Sequence, residues 1–429
     1  MAALPLVRHE PAAPFALCQG ERVSAARFLG LAAELAARLP EHRYVINQCS
    51  DRCYFAAAFA AALLRRQVSL MPPNATAHAI GRLAHDYPDS YSIDDAFVAE
   101  SAGRATEHAA LSVPGERLAA LVFTSGSSGD PVPHPKSWGG LVSSAQGEIE
   151  ALGIGAFSGL SLLATVPPQH MYGLESTVLM AMQGGFCMHA GRPFFPADIC
   201  AELEALPRPR GLVTTPVHLR ALLAEASTLP AIDFLLCATA PLPAQLAVQA
   251  EMRFAAPLLE IYGCTEAGQL ATRRPTRGIE WELFPQFRLR QDAKGTWVKG
   301  GHAGAALLLS DLIELRGGRR FLLHGRTADL VNIAGKRTSL ASLNHHLNSI
   351  PGVRDGAFVV PIDDGDRVTR LAAFVVAPGL TSESILAALR ERIDPAFLPR
   401  PLCHVEALPR NDTGKLPRAR LDALLAKAG

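Results

Sequence analysis

Apolar residues along this chain follow two habits. In one they form short unbroken runs, as in Tyr44-Val45-Ile46-Asn47, Val68-Ser69-Leu70-Met71, Arg117 to Phe123, Ser161 to Val166, Phe186 to His189, Gly211 to Thr215, Ile232 to Ala238 and Pro257 to Ile261. Runs of this length bounded by turn residues predict buried strands. In the other habit they recur near helical spacing. Leu29, Leu31, Leu35 and Leu39 do so from residue 22 until Pro40 intervenes, and the alanine-rich stretch from Tyr54 to Leu64 predicts a closely packed helix. Further helices are expected near residues 137 to 150, after Gly173, after Pro216 and after Pro243. Strand and helix take turns, and that rhythm predicts an α/β fold of mixed, mostly parallel sheets covered by helices.

The pattern changes twice further on. From Trp281 to Leu323, short apolar runs alternate with glycine turns such as Lys299-Gly300-Gly301-His302 and Arg316-Gly317-Gly318-Arg319, which predicts a small β subdomain over about residues 276–325. After Arg326, the strand-like runs Gly356 to Val360 and Leu371 to Val376 lead into a helix capped by Thr381 or Ser382, with Ile385, Leu386, Leu389 and Ile393 on one face. A large N-terminal domain over residues 1–325 and a small α+β domain over residues 326–429 are therefore expected. Residues 85 to 116 are polar and rich in turn formers, without recognisable chemistry.

Composition narrows the choices. A chain of 429 residues with 49% hydrophobic content has ample material for a sizeable core. Its net charge of +1, with no basic stripe, argues against a nucleic-acid partner. The eight cysteines include no C-x-x-C pair, and several, such as Cys237, lie in apolar runs, so they read as reduced core residues. The first residues lack the charged start and long apolar stretch of a signal peptide, and no run is long enough to span a bilayer. A cytoplasmic protein without membrane insertion is the expectation.

Candidate chemistry starts where the run Leu121-Val122-Phe123 breaks into Thr124-Ser125-Gly126-Ser127-Ser128-Gly129. Such a loop can wrap N–H groups and hydroxyls around a phosphate, because glycine permits left-handed dihedrals and close approach. Taken alone, a Ser/Gly cluster is more often a plain turn. It is not a Walker A motif, since Lys136-Ser137 follows Pro135 where that motif needs glycine, and this weakens a phosphoryl-transferase reading. Three further stretches follow in order: Ile261-Tyr262-Gly263-Cys264-Thr265-Glu266, Leu323-His324-Gly325-Arg326-Thr327-Ala328-Asp329 and Leu408-Pro409-Arg410-Asn411-Asp412-Thr413-Gly414-Lys415-Leu416.

Together the four resemble the adenylate-forming superfamily of acyl- and aryl-CoA synthetases, peptide-synthetase adenylation domains and luciferases, from about Arg43 to the C-terminus. The resemblance implies an enzyme that uses ATP and Mg2+ to convert a carboxylic acid into an acyl-adenylate with release of pyrophosphate. The acyl group then passes to a thiol, either coenzyme A or the phosphopantetheine arm of an acyl carrier protein. It also implies roles. Thr124 to Gly129 would hold the β- and γ-phosphates, Thr265 the α-phosphate, and Glu266 the magnesium. Tyr262 would lie along adenine, Asp311 would accept from the ribose hydroxyls, and Arg326 would reach ribose and phosphate at the domain joint. Thr239 and Ala240, in Ala238-Thr239-Ala240-Pro241-Leu242, would border adenine and substrate. His170 and Tyr172, in Pro167-Pro168-Gln169-His170-Met171-Tyr172-Gly173, would shape the acyl pocket. Lys415 would bridge the carboxylate and α-phosphate, carried in by a mobile C-terminal lid.

Each residue also has a plainer reading: a helix N-cap for Thr265-Glu266, a turn former for Asp311, a core histidine for His170 and a surface turn for Gly414-Lys415. The chain departs from the family at Val132, where a lysine is usual, at Ala328 in place of the hinge aspartate, and at Ser342 in place of a glutamate. The nearest loop lysine is Lys136, and Lys336-Arg337 offers charge for the phosphate of either thiol acceptor. The short N-terminal region and the Gln-His-Met-Tyr-Gly segment are similar to stand-alone ligases that activate aryl or short acyl starters for aryl-polyene-type pigments. The alternative is a catalytically degenerate adenylation fold that binds nucleotide or a partner protein. The departures favour it, while Glu266, Asp311, Arg326 and Lys415 speak against it.

Overall fold

The alanine-rich helix Arg52–Leu64 explains how the large N-terminal region is assembled in this computed structural model, which describes residues 2–18, 20–72, 76–125, 131–226, 228–326, 329–333, 336–361, 370–411 and 414–428. Asp51 caps the helix, its carboxylate accepting from the Tyr54 N–H at 2.9 Å, and every residue from Phe55 to Leu63 is buried. A helix that is apolar all round belongs in an interior. This one lies between two sheets, against Tyr44–Asn47 and Val68–Met71 on one side and Cys187–His189 on the other. Its methyl side chains let both sheets close upon it.

The first sheet has five strands in the order Ser90–Ile93, Tyr44–Asn47, Val68–Met71, Leu118–Ser125 and Pro131–Ser137. All its pairs are parallel except the last, an antiparallel hairpin with Thr124 opposite Val132. The second sheet has eleven strands. Its centre is parallel, running from Pro14–Cys18 through Cys187–His189, Ser161–Ala164, Arg210–Thr214 and Phe234–Cys237 to Leu258–Cys264. Antiparallel strands extend it through Gly268–Arg273 and Trp281–Leu283 to Arg320–Arg326 and Asp311–Gly317. Helices Pro196–Ala205, Pro216–Glu225 and Ala244–Phe254 cover its outer face over a second core. The C-terminal region has cores of its own. Leu343, Phe358, Val375, Ile385 and Leu389 pack on one face of a three-stranded sheet, and Phe374, Leu408 and Leu421 pack on the other.

Two segments fold in ways their composition hides. Within the polar residues 85 to 116, Ser90–Ile93 pairs with Tyr44–Asn47 as an edge strand with Ile93 buried, and Asp95–Ala102 is helical. A strand half exposed at an edge needs little apolar patterning. The second is Pro131–Ser137, a strand despite prolines at 131, 133 and 135. It is also an edge strand, and alternation turns all three proline nitrogens away from Leu118–Ser125, so no ladder bond is lost. Within residues 276–325, Phe287–Asp292, Gly295–Gly300 and Leu307–Leu308 form a separate three-stranded sheet, whereas the other strands continue the large one.

Arg52, 1% exposed at the start of the central helix, donates to Thr177 Oγ1 at 2.8 Å and to the carbonyls of Ala164 and Val166 at 3.2 and 2.9 Å. Truncating it leaves a void and buried acceptors without donors. Arg52→Ala is expected to lower the unfolding free energy of this region by about 3 kcal/mol in urea denaturation, with Arg52→Met costing less because it fills the space. An unchanged denaturation midpoint in both variants would contradict the role.

Candidate active site

The hydroxyl-rich stretch begins at the end of the edge-hairpin strand Leu118–Ser125. Gly126, Ser127, Ser128 and Gly129 lie outside the described residues, as does the side chain of Ser125, but the strands on either side bring the neighbours together. Thr124 Oγ1 lies 3.1 Å from His134 Nε2, and the same nitrogen lies 3.9 Å from Glu266 Oε1. Thr265 and Glu266 occupy the tight turn between Leu258–Cys264 and Gly268–Arg273, not a helix N-terminus. Gly263 makes that turn possible: a Cβ there would sit 2.4 Å from the Gly268 carbonyl oxygen. The exposed Glu266 carboxylate beside the Thr124 hydroxyl offers hard oxygen donors, which fit a magnesium ion held by one carboxylate and substrate phosphates.

Lys136, expected as the nearest lysine to the phosphates, turns inward. Its ammonium donates to the Glu266 backbone carbonyl at 2.9 Å, and burial holds its pKa below the usual value. Val132 is 45% exposed. His134 thus stands where the side chains of Thr124 and Glu266 converge. Burial depresses its pKa, with Glu266 opposing the shift.

On the opposite side of the turn, the Tyr262 hydroxyl donates to Asp311 Oδ2 at 2.8 Å, and its ring packs against Trp281 and Phe321. Asp311 pairs in register with Arg326, whose side chain lies outside the described residues. Thr239 has φ +81, in the left-handed region that a β-branched residue rarely enters. Such strain persists where surrounding structure enforces it and concentrates at binding sites. Ala240 follows, partly exposed.

His170 caps the short helix Met171–Gly173, accepting from the Tyr172 N–H at 3.2 Å. Tyr172 is buried, and its hydroxyl donates to the carbonyls of Thr214 and Leu236 at 3.2 and 3.1 Å, so it fastens the helix to the large sheet. The chain continues as a π-helical turn, Leu174–Leu179, a geometry common at functional sites.

The C-terminal turn comes to this place. Arg410 donates to both oxygens of Asp355, each at 2.8 Å, and to the Gly414 carbonyl at 2.9 Å, while Asn411 Oδ1 accepts from the Lys415 N–H at 2.8 Å. Arg220, on the helix Pro216–Glu225 of the large domain, lies 3.8 Å from Asp355. Gly414 rests on the same helix, where a Cβ would meet Val217 Cγ2 at 3.1 Å. The result brings Lys415 within electrostatic reach of His170, whose pKa is pushed down to about 3 by burial and further by that ammonium. Lys336 pairs with Asp394 at 2.5 Å, the side chain of Arg337 and all of Ala328 lie outside the described residues, and Ser342 lies in the first turn of Leu340–Asn348.

Behind Glu266 lies a cavity of about 100 Å³ lined by Lys136, Ser144, Met171, Glu175, Glu266 and His302, among others. Glu175 is fully buried and accepts from Ser144 Oγ at 2.6 Å; burial raises its pKa to about 7. Next to it Glu148, raised to about 8, accepts from Ser176 Oγ at 2.7 Å, and Gln269 Nε2 donates to the same hydroxyl at 2.7 Å. Sequence reading missed His134, Glu148, Glu175, His302 and the Arg220–Asp355–Arg410 arrangement. A visible signal was Glu175, an acid inside the long apolar run from Met171 to Met182.

Residues 26–297 match the AMP-binding enzyme family and residues 344–415 the AMP-binding enzyme C-terminal domain, and the chain belongs to that family. Among curated proteins it is similar to a 4-coumarate–CoA ligase of Rhodobacter capsulatus, 28% identical over 71% of this chain and 76% of that one. Among solved structures, ATP-bound MatB from Rhodopseudomonas palustris superposes with a TM-score of 0.83 at 17% identity, covering 97% of each chain. The anthranilate CoA ligase AuaEII with anthranoyl-AMP superposes at 0.81 and 15% identity over 99% of each chain. These share its fold of a large N-terminal and a smaller C-terminal domain. Among the described residues no helix is long and apolar enough to cross a membrane.

The raised carboxyl pKa values carry a sign. Glu148 binds a proton in the folded state up to about pH 8, whereas in the unfolded chain it releases one near the ordinary carboxyl value of 4.5. Stability is therefore expected to fall as pH rises from about 5 to about 8. Glu148→Gln should flatten that fall in melting curves taken across the range; an equal slope in both proteins would refute it.

Proposed function

We propose that this enzyme converts an aryl or short acyl carboxylic acid into its adenylate at the place where Lys415, His170 and Glu266 meet, and then passes the acyl group to coenzyme A. ATP-dependent acid activation followed by thioester formation is the activity of its family. The choice of acid and acceptor and the residue roles are our reading. The observation that carries it is the docked C-terminal turn: Gly414 rests against Val217 and Thr215, the Lys415 ammonium acts on the His170 imidazole, and Met171, the next residue, lines one cavity with Glu266.

The chemistry requires a carboxylate to approach a triphosphate, so positive charge and fixed donors must offset the repulsion as the new bond forms. His170 is uncharged at neutral pH, which leaves Lys415 to supply the cation at that point. It gains strength as charge concentrates on the α-phosphate oxygens, and Thr265 donates there. Thr124 and His134 face the β- and γ-phosphates, and the same role is assigned to Ser125 to Gly129. Magnesium, when bound at Glu266, screens those phosphates and the departing pyrophosphate. Tyr262 and Asp311 orient adenine and ribose, while the strained Thr239 and Ala240 border the substrate.

We assign residues 1–325 and 326–429 as the two domains, and the thioester step to a rotated position of the smaller one. The Arg220–Asp355–Arg410 contact is part-exposed and can break and re-form, as a lid requires. Coenzyme A is favoured as acceptor by the relatives named CoA ligases; a carrier protein would show itself by thioester formation on its phosphopantetheine arm in the same assay. A protein that binds nucleotide without catalysis would give no acid-dependent pyrophosphate exchange.

Lys415→Ala is expected to lower acid-dependent pyrophosphate exchange at least about 100-fold while leaving transfer from supplied adenylate to coenzyme A largely intact. Equal loss in both half-reactions would overturn the role. Asp355→Ala, which frees both arginines, should slow adenylate formation about 10-fold and spare transfer; a variant with wild-type exchange would show that the contact does not hold the adenylating arrangement.

A further inference from the structure

We propose that the chamber behind Glu266 receives the far end of the acid and that this end carries an uncharged hydroxyl, as in a hydroxylated aryl acid; the inference rests on the ligase reading above. The chamber is lined by Glu266 and by Met171, the residue after His170, so an acid whose carboxylate meets Lys415 near His170 can extend towards it.

Gly268 is the key to its shape. With φ +78 and no side chain, it lets the backbone pass tightly between two polar groups: a Cβ there would lie 2.8 Å from His302 Nε2 and 3.0 Å from Glu175 Oε1, too close for any side chain. Both ring nitrogens of His302 are buried beside the backbone of Gln269 and Ala267, without a well-formed hydrogen bond among the described residues. Glu175 is held in place by Ser144, which donates to its Oε1 at 2.6 Å. A buried imidazole and a buried carboxyl that both line the chamber suit a ligand group that can both donate and accept.

Charge selects among such groups. The lining carries both signs, Glu175 and Glu266 against Lys136, so a charged end would meet a like charge as well as an opposite one. A hydroxyl avoids both conflicts by donating to Glu175 and accepting from the imidazole or the lysine. Size narrows the class further. At about 100 Å³ the chamber is smaller than the ~150 Å³ cavity that takes benzene, so it admits the hydroxyl-bearing edge of a ring and not a second ring.

The test measures pyrophosphate exchange with paired acids: benzoate against 3- and 4-hydroxybenzoate, and cinnamate against 4-hydroxycinnamate. The wild-type enzyme should favour a hydroxylated member by at least about 10-fold in kcat/KM, because a site built to bond a hydroxyl rejects the analogue lacking it. Glu175→Leu should bring that ratio close to unity, and Glu175→Gln, which keeps an acceptor, should retain most of it. Ser144→Ala, a milder change that releases Glu175, should lower the ratio several-fold, and melting curves identify any variant that fails to fold. Equal exchange of plain and hydroxylated acids by the wild type, or an unchanged ratio in Glu175→Leu and Ser144→Ala, would overturn the hydroxyl assignment alone. Exchange with no acid would overturn the ligase reading and this inference together.

Discussion

Asp355 stands between Arg410 of its own domain and Arg220 of the other, and its position fixes where the last turn of the chain can reach. The bidentate pair with Arg410 is the stronger of the two, since two parallel N–H···O bonds fix both distance and orientation. It shapes the turn internally, because the same guanidinium also holds the Gly414 carbonyl. The contact with Arg220, at 3.8 Å, is looser and crosses the domain boundary. A firm bond inside the small domain and a weak one across the joint describe a rigid finger on a releasable mount. Lys415 depends on both.

The large domain also holds an interior that is unusually polar. Glu148, Glu175, Ser144, Ser176 and Gln269 bond to one another between the helix Trp138–Leu152, the π-turn and the strand Gly268–Arg273. Burial makes the charged carboxylates costly, so their pKa values rise towards neutrality and hydroxyl donors satisfy them. Lys136 joins this interior. Its ammonium is fixed to the Glu266 carbonyl, which supports from below the turn that presents Thr265 and Glu266. The loss of a lysine at position 132 and the inward turn of Lys136 leave His134 as the basic side chain that faces Thr124 and Glu266.

Much of this was legible in the linear pattern because each element follows local rules. The helix Arg52–Leu64 lies where alanines crowd together, and the parallel strands lie where apolar runs are unbroken. The phosphate-type loop, the Tyr-Gly-x-Thr-Glu turn and the Gly-Lys near the end of the chain could be picked out by residue type and order. Less could be read where partners decide. Ser90–Ile93 and Pro131–Ser137 look unlike strands because edges need neither apolar alternation nor every N–H. The glycine turns after Trp281 could not show which strands would extend the large sheet and which would form a small one of their own.

The sequence by itself determined the α/β class, the order of the motifs and the kinds of group available to neutralise phosphate, since periodicity and residue chemistry are local properties. Tertiary structure decided which of those groups meet. Glu175 and His302 are 127 positions apart, yet both approach Gly268 and line one cavity. His134 gains meaning from the hairpin that sets it beside Thr124 and from the separate turn that brings Glu266. Lys415 reaches His170 because a folded domain, docked through Asp355, carries it there; contacts between distant segments arise from packing, which no window along the chain contains.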